Sequence, residues 1–184
     1  MIPGHPVQQS ASVLMSVIDT LSVYTRLLNA VGDDVGCYLL LKSGYVIDAV
    51  NLIDGIYGAV AGGDKRRSPA LLEILEEGQF AGAPLLRASA GSIDHGAVRK
   101  VRRVRNKGCA HLDSWMKLTQ ITSMVIDLEH EVLVERVLKP AWAAVHEACA
   151  ADITTRWLLM DEASLSALRP ISTPGVRAFD RGAA

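Results

Sequence analysis

"VGCYLLLKSGYVIDAVNLIDGIYGAVA", residues 35–61, decides the fold class. Leu39, Val46, Val50, Ile53, Tyr57 and Val60 recur at helical spacing, and Asp33 or Asp34 ahead of them can cap the unpaired amides of a new helix. The stretch predicts one long helix over 35–61. Working outward, Val13, Val17, Leu21, Tyr24 and Leu28 predict a helix over about 8–30. Beyond it, Ser68 as N-cap, Pro69 at the first position and Gly78 at the end predict a short helix over 69–77. A Gly- and Ala-rich stretch then leads to Ser92 or Asp94, either of which can start a basic helix.

After Asp113, the stripe Leu118, Ile121, Val125, Leu128 and Val132 runs to about Leu138. Pro140 is expected to kink or restart it, and Trp142, Val145, Cys149, Ile153 and Trp157 continue at helical spacing. No strand and no internal repeat is legible. Amphipathic helices with short connections bury their stripes by packing side by side. The expectation is therefore all-α, an up-and-down bundle of four to five helices in a single domain over 1–160. "RPISTPGVRAFDRGAA" has two prolines and little periodicity, and 161–184 reads as a flexible C-terminal tail.

Composition bounds function loosely. The chain has 184 residues and a net charge of −1, so a nucleic-acid or membrane partner must be drawn by a local patch. Three cysteines, Cys37, Cys109 and Cys149, at wide spacing argue against a disulfide framework and fit a reducing compartment, where they read first as small buried hydrophobes. The N-terminus lacks the pattern of a secretory signal. Although 49% of residues are hydrophobic, polar residues interrupt each apolar run before about 18 residues, so no membrane association is expected and the protein reads as cytoplasmic.

The local patch is "VRRVRNKGCAHLD", residues 101–113. At roughly 100° per residue, Val98, Val104, Arg105, Gly108, Leu112 and Trp115 fall near Val101. Arg99, Arg102, Arg103, Asn106 and Lys107 lie on the other side. Arg105 thus sits in the apolar arc, where a buried guanidinium needs an anionic partner or a wet cleft. His111 lies on the far side of Val101, with Gly108 between the two leaving room for a group the size of a phosphate. A break at Gly108 would undo that projection. On helix two, Asp54 lies at the edge of the Val50 and Ile53 face, either as a third group of the site or as a solvent-exposed or structurally paired carboxylate.

"RNKGCAH", Arg105–His111, resembles the signature of the HEPN superfamily: an arginine, commonly followed by a polar residue, then a histidine four to six residues on, five intervening here. The flanking sequence is similar to abortive-infection-type HEPN proteins of bacteria. The resemblance implies an all-α homodimer and a metal-independent endoribonuclease whose paired motifs face each other across the dimer. It implies Arg105 and His111 as the catalytic pair and Asn106 as a supporting residue; Asp54 is a candidate for support from its place on helix two alone. An antitoxin or nucleotidyltransferase partner is a further expectation.

The chemistry suits the pair. When RNA is cleaved by its own 2′-hydroxyl, a histidine near its ordinary pKa can move the proton, and an arginine can stabilise the charge gathering on phosphorus. Arg99, Lys100, Arg102, Arg103 and Lys107 read either as phosphate contacts or as a solvated helix face. No metal and no cofactor is expected: Cys109, His95, His111, His130 and His146 lack ligand spacing, and no Gly-rich phosphate loop or GxSxG turn is present. The same residues would also serve a non-catalytic helical module that binds RNA or a protein.

Overall fold

The structure, a computed structural model, describes residues 6–31, 33–62, 69–109 and 118–150. They are all-α, with no strand among the described residues: α1 Pro6–Ala30, α2 Val35–Tyr57, α3 Leu71–Glu77, α4 Ala83–Ala90, α5 His95–Val104, α6 Leu118–Ile126, α7 His130–Leu133 and α8 Lys139–Ala150. A 3₁₀ turn, Gly58–Ala61, extends α2, and π-helical turns follow α5 at Arg105–Cys109 and α7 at Val134–Leu138. These are more and shorter helices than the four or five expected.

Helix α1 buries Val7, Ala11, Leu14, Ile18, Leu21, Thr25 and Leu28, a strict alternation of steps of four and three. The expected stripe was displaced from it: Val13 is 63% exposed, and Val17 and Tyr24 are half-buried. Helix α2 answers with Tyr38, Lys42, Tyr45, Ala49, Leu52 and Ile56 at the same alternation. Two helices whose apolar positions repeat every 3.5 residues on average meet along one seam, and α1 and α2 share the most extensive helix contact in the fold. Thr25 fits the seam because its Oγ1 donates to the Leu21 carbonyl at 2.8 Å, which satisfies a hydroxyl that burial would otherwise penalise.

Beyond Ala49, α2 stops being two-faced. Every residue from Leu52 to Gly58 is buried, and besides α1 the helix packs against α3, α5, α6 and α8. Val60, assigned to the stripe from sequence, is 41% exposed at the end of the 3₁₀ turn. Two stretches, Gln9–Ala30 and Val35–Ala61, are long and apolar enough to cross a membrane by length and composition, with 33% and 44% of the test window buried against the rest of the fold. Uninterrupted apolar runs were the wrong gauge here. The mean over a window tolerates single charges such as Lys42 and Asp48.

Helix α3 begins at Leu71, two residues inside the expected range, with Ala70 as its N-cap residue, whose N–H donates to the Glu73 carboxylate at 2.9 Å. Alanine has no oxygen to return that bond, so only half a capping box forms. Ser68, the expected cap, lies outside the described residues. The helix ends at Gly78, but the left-handed residue is Gln79 (φ 54°). Glycine at 78 leaves room for Phe80, whose ring would have to move to admit a Cβ placed 2.3 Å from it. The Gly- and Ala-rich stretch expected as a connection holds α4, with Pro84 in its first turn, where a missing N–H costs nothing. Helices α4 and α8 approach so closely at Gly82 that a Cβ there would come within 2.1 Å of the Ala148 carbonyl oxygen.

The break expected at Pro140 falls earlier, at Asp127–Glu129. The buried ammonium of Lys42 donates to the Ile126 carbonyl at 2.8 Å, capping α6 from the side. The ring of His130 begins α7 with Nδ1 3.2 Å from the Leu128 carbonyl. Pro140 is absorbed by the π turn preceding it. Proline lacks the N–H that would bond the Arg136 carbonyl four residues back, and that carbonyl instead accepts from the Asp94 N–H at 3.2 Å. Asp94, the α5 N-cap, accepts at its side chain from Ala97 N at 3.0 Å, so one residue ties α5 to the π turn. Trp142, Val145 and Cys149 are buried as the sequence stripe requires. Ile153, Trp157 and the tail over 161–184 lie outside the described residues.

Lys42 and His130 are buried polar residues of the core, together with Thr25 and Asp54. Burial holds Lys42 down to about 8, partly opposed by Asp127. Burial, aided by the Lys42 charge, holds His130 down to about 3. A carbonyl can only accept, so His130 carries its proton on Nδ1. Its Nε2 is then a buried acceptor, and neither it nor the buried hydroxyl of Tyr45, whose ring centroid lies 5.1 Å away, has a partner among the described residues.

Two measurements check this packing. Gly82→Ala is expected to lose about 2 kcal/mol or more in urea unfolding, because backbone must move to admit the methyl. Gly91→Ala, whose new carbon would meet Ala88 O at an ordinary 3.5 Å, stays within about 0.5 kcal/mol. The pH dependence has a definite sign. His130 binds its proton in the unfolded chain near 6.5 but in the folded protein only near 3. Its contribution is therefore complete above pH 6.5 and drains away as pH falls, by up to ~1.4 kcal/mol per pH unit. Unfolding midpoints at pH 7, 6, 5 and 4 should decline more gently in His130→Asn than in the parent.

Candidate active site

Asp94 starts α5, and Val98, Val101 and Val104 seat it against the core. At Arg105 the helix widens into the π turn, a distortion that costs backbone regularity and recurs at functional sites. Residues 110–117 lie outside the described residues, and His111 with them. Over Arg105–Cys109 the turn is longer than that of the uniform rotation, roughly 100° per residue, used to relate Arg105 to His111.

Arg105 does lie toward the interior, and its partner is on α2. Asp54, with 7% of its side chain exposed, receives two guanidiniums. Arg102 Nη2 donates to Oδ1, and Arg105 Nη1 stands 3.6 Å from Oδ2. The two contacts differ in kind. Arg102 is bonded directly and also donates through Nη1 to the carbonyl of Ala61, whereas the Arg105 contact is an ion pair beyond hydrogen-bond length. Arg105 Nε donates to Asn106 Oδ1 at 2.8 Å, and its side chain is 20% exposed. The cluster carries two positive charges against one negative, with the surplus at the solvent edge.

The other cations sort by burial. Arg99 and Arg103 are exposed. Lys100, also exposed, pairs loosely with Glu129 at 3.7 Å. Lys107 is half-buried. Arg102 departs from the outward set in which its helical angle placed it, with only 13% of its side chain exposed. Its long stem reaches back over α5 to α2, a route that angular projection of the Cα does not see. Asp54 is buried and paired, which removes the solvent-exposed alternative. Nothing in the sequence signals the Arg102–Asp54 pair, because its partners stand 48 residues apart and meet only when α5 packs on α2.

Among the described residues, no three His, Cys, Asp or Glu side chains converge as metal ligands. His146 stacks edge-on against Trp142 at 5.5 Å between centroids, and His130 is enclosed in the core. No family model matches the chain, and no curated protein or solved structure matches it.

Removing the carboxylate should be costly, since it strands two guanidiniums that share little water. Asp54→Ala is expected to lower stability by about 3 kcal/mol or more, measured by denaturant unfolding. Arg103→Ala on the exposed face should change it by less than about 0.5 kcal/mol. Equal losses in the two variants would show that Asp54 is not the neutralising centre of the cluster.

Proposed function

We propose that the protein is a metal-independent endoribonuclease of HEPN-like type, an up-and-down helical bundle that works as a homodimer. The supporting observation is the state of Arg105. Its guanidinium is steered by a buried carboxylate without being consumed by it, and it faces the solvent edge of a site with surplus positive charge. Such a group suits an oxyanion that arrives from outside.

In this reading a phosphate of RNA docks against the free donors of Arg105, and Asn106 keeps the guanidinium plane in place. His111 moves the proton of the attacking 2′-hydroxyl or of the leaving oxygen. Arg105 offsets the negative charge that grows on the phosphorane oxygens. Arg99, Lys100, Arg103 and Lys107 hold the strand through its phosphates, which gives affinity that falls with salt and little reading of sequence. One protomer brings one Arg and one His to the motif, so the complete site is composite, with a second copy facing the first. A bacterial defence or toxin-type role in the cytoplasm, restrained by an antitoxin or modified by a nucleotidyltransferase, follows from the same resemblance.

The exposure of Arg99 and Arg103 equally suits a second reading, a module that binds RNA without cutting it. Incubation of purified protein with RNA in EDTA separates the two. Cleavage that leaves 2′,3′-cyclic phosphate ends, and that drops about 100-fold or more in Arg105→Ala and in His111→Ala, is the expected result. Intact RNA at high protein concentration, with a salt-sensitive mobility shift, would transfer the assignment to the binding module. Sedimentation at micromolar concentration should give a dimer; a monomer there argues against the composite site.

A further inference from the structure

We propose that Arg102 is a positioning residue for Arg105, acting through Asp54, and not one of the cations that hold RNA. Only its kinetic readout rests on the ribonuclease reading above. Both terminal nitrogens of Arg102 are engaged within the fold. Nη2 bonds Asp54 Oδ1, Nη1 bonds the Ala61 carbonyl, and Nε is buried, with no partner among the described residues. With 13% of its side chain exposed and both terminal nitrogens bonded to the fold, this guanidinium is poorly placed to meet a phosphate, whereas Arg99 and Arg103 lie open on the same helix.

The chain also keeps room for it. Gly62 adopts φ +75° just past the 3₁₀ turn, and a Cβ there would lie 3.2 Å from Arg102 Nη1. Glycine supplies both the left-handed backbone and the clearance.

What Arg102 accomplishes follows from the geometry of a carboxylate, which has two oxygens in one plane. An arginine facing an unclaimed aspartate takes both oxygens in a two-toothed pair, the strongest arrangement open to it. Arg102 claims Oδ1 from its own side and is itself fastened to Ala61, so Asp54 cannot turn its full edge to Arg105. Only Oδ2 is left, at 3.6 Å, close enough to orient Arg105 and too far to occupy its donors. Arg102 thereby diverts Asp54 and leaves Arg105 able to accept an external anion.

The test compares Arg102→Gln and Arg102→Lys with the parent protein. Without a cation at 102, Asp54 closes onto Arg105. Modification of Arg105 by an arginine-specific dicarbonyl, quantified by mass spectrometry of its peptide, should slow several-fold in Arg102→Gln. The saturating rate of RNA cleavage should fall about 10-fold or more, while RNA affinity and its salt slope hold. Arg102→Lys keeps a charge on Oδ1 and should recover part of both losses.

Arg103→Ala should instead weaken RNA binding and flatten the slope of log K against log salt by about one. If Arg102→Gln does the same, or if Arg105 reacts as fast in it as in the parent, Arg102 is not a positioning residue. A parent protein that leaves RNA intact defeats the ribonuclease reading alone, and the Arg105 modification rate then decides this proposal. Should Arg102→Gln lose its cooperative unfolding transition, Arg102→Lys is read in its place, with partial slowing of Arg105 modification expected and unchanged reactivity overturning the proposal.

Discussion

The last turns of α2, from Leu52 onward, are enclosed on every side, and Asp54 is among them. A helix buried all round has no solvent flank onto which a carboxylate can turn, so the charge must be met where it stands. Arg102 and Arg105 meet it from a helix distant in sequence, and this requirement fixes how α5 lies on α2. The stem of Arg102 crosses to the Ala61 carbonyl and closes the end of the 3₁₀ turn. The residue that follows has a left-handed backbone and a close approach to Arg102, both of which favour glycine. A single buried charge thus organises the end of α2, the seat of α5 and the aim of Arg105.

The two π turns belong to the same economy. The first begins at Arg105, where a regular helix would carry the side chain onward at its usual angle. The second precedes Pro140 and frees the Arg136 carbonyl to receive the Asp94 N–H. Both lie where a residue serves a neighbouring helix as well as its own, through the ion pair of Arg105 with Asp54 in the first and the bond from Asp94 N–H to the Arg136 carbonyl in the second. Lys42 acts comparably at the end of α6. Its ammonium satisfies the last carbonyl of that helix, and its charge, together with burial, keeps His130 neutral.

Much of the helical content was legible because it depends on period. The spans of α1 and α2, the short helix α3, the start of α5 at Asp94 and the burial of Trp142, Val145 and Cys149 follow from spacing and capping residues. The face of α1 was not, since Val13 and Val17 form as good an apolar stripe as the seam through Leu14, Ile18 and Leu21. Choosing between them requires the partner α2. Helix α4 was hidden by glycine and alanine, whose small size reads as a loop until Gly82 is seen pressed against the backbone of α8. The membrane test had the same weakness, because length and composition are equally met by helices that line a core.

At the site, spacing along the chain was enough to place Arg105 on the interior side of its helix and to require either an anionic partner or a wet cleft for it, since a guanidinium among valines cannot be buried alone. It could not say which carboxylate, how tightly, or in whose company. Those were decided by tertiary structure, since hydrogen bonding depends on distances across the fold that no spacing along the chain encodes. The packing of α5 on α2 gave Oδ1 of Asp54 to Arg102 and held Arg105 at the longer distance, and on that difference rests the capacity of Arg105 to bind anything else.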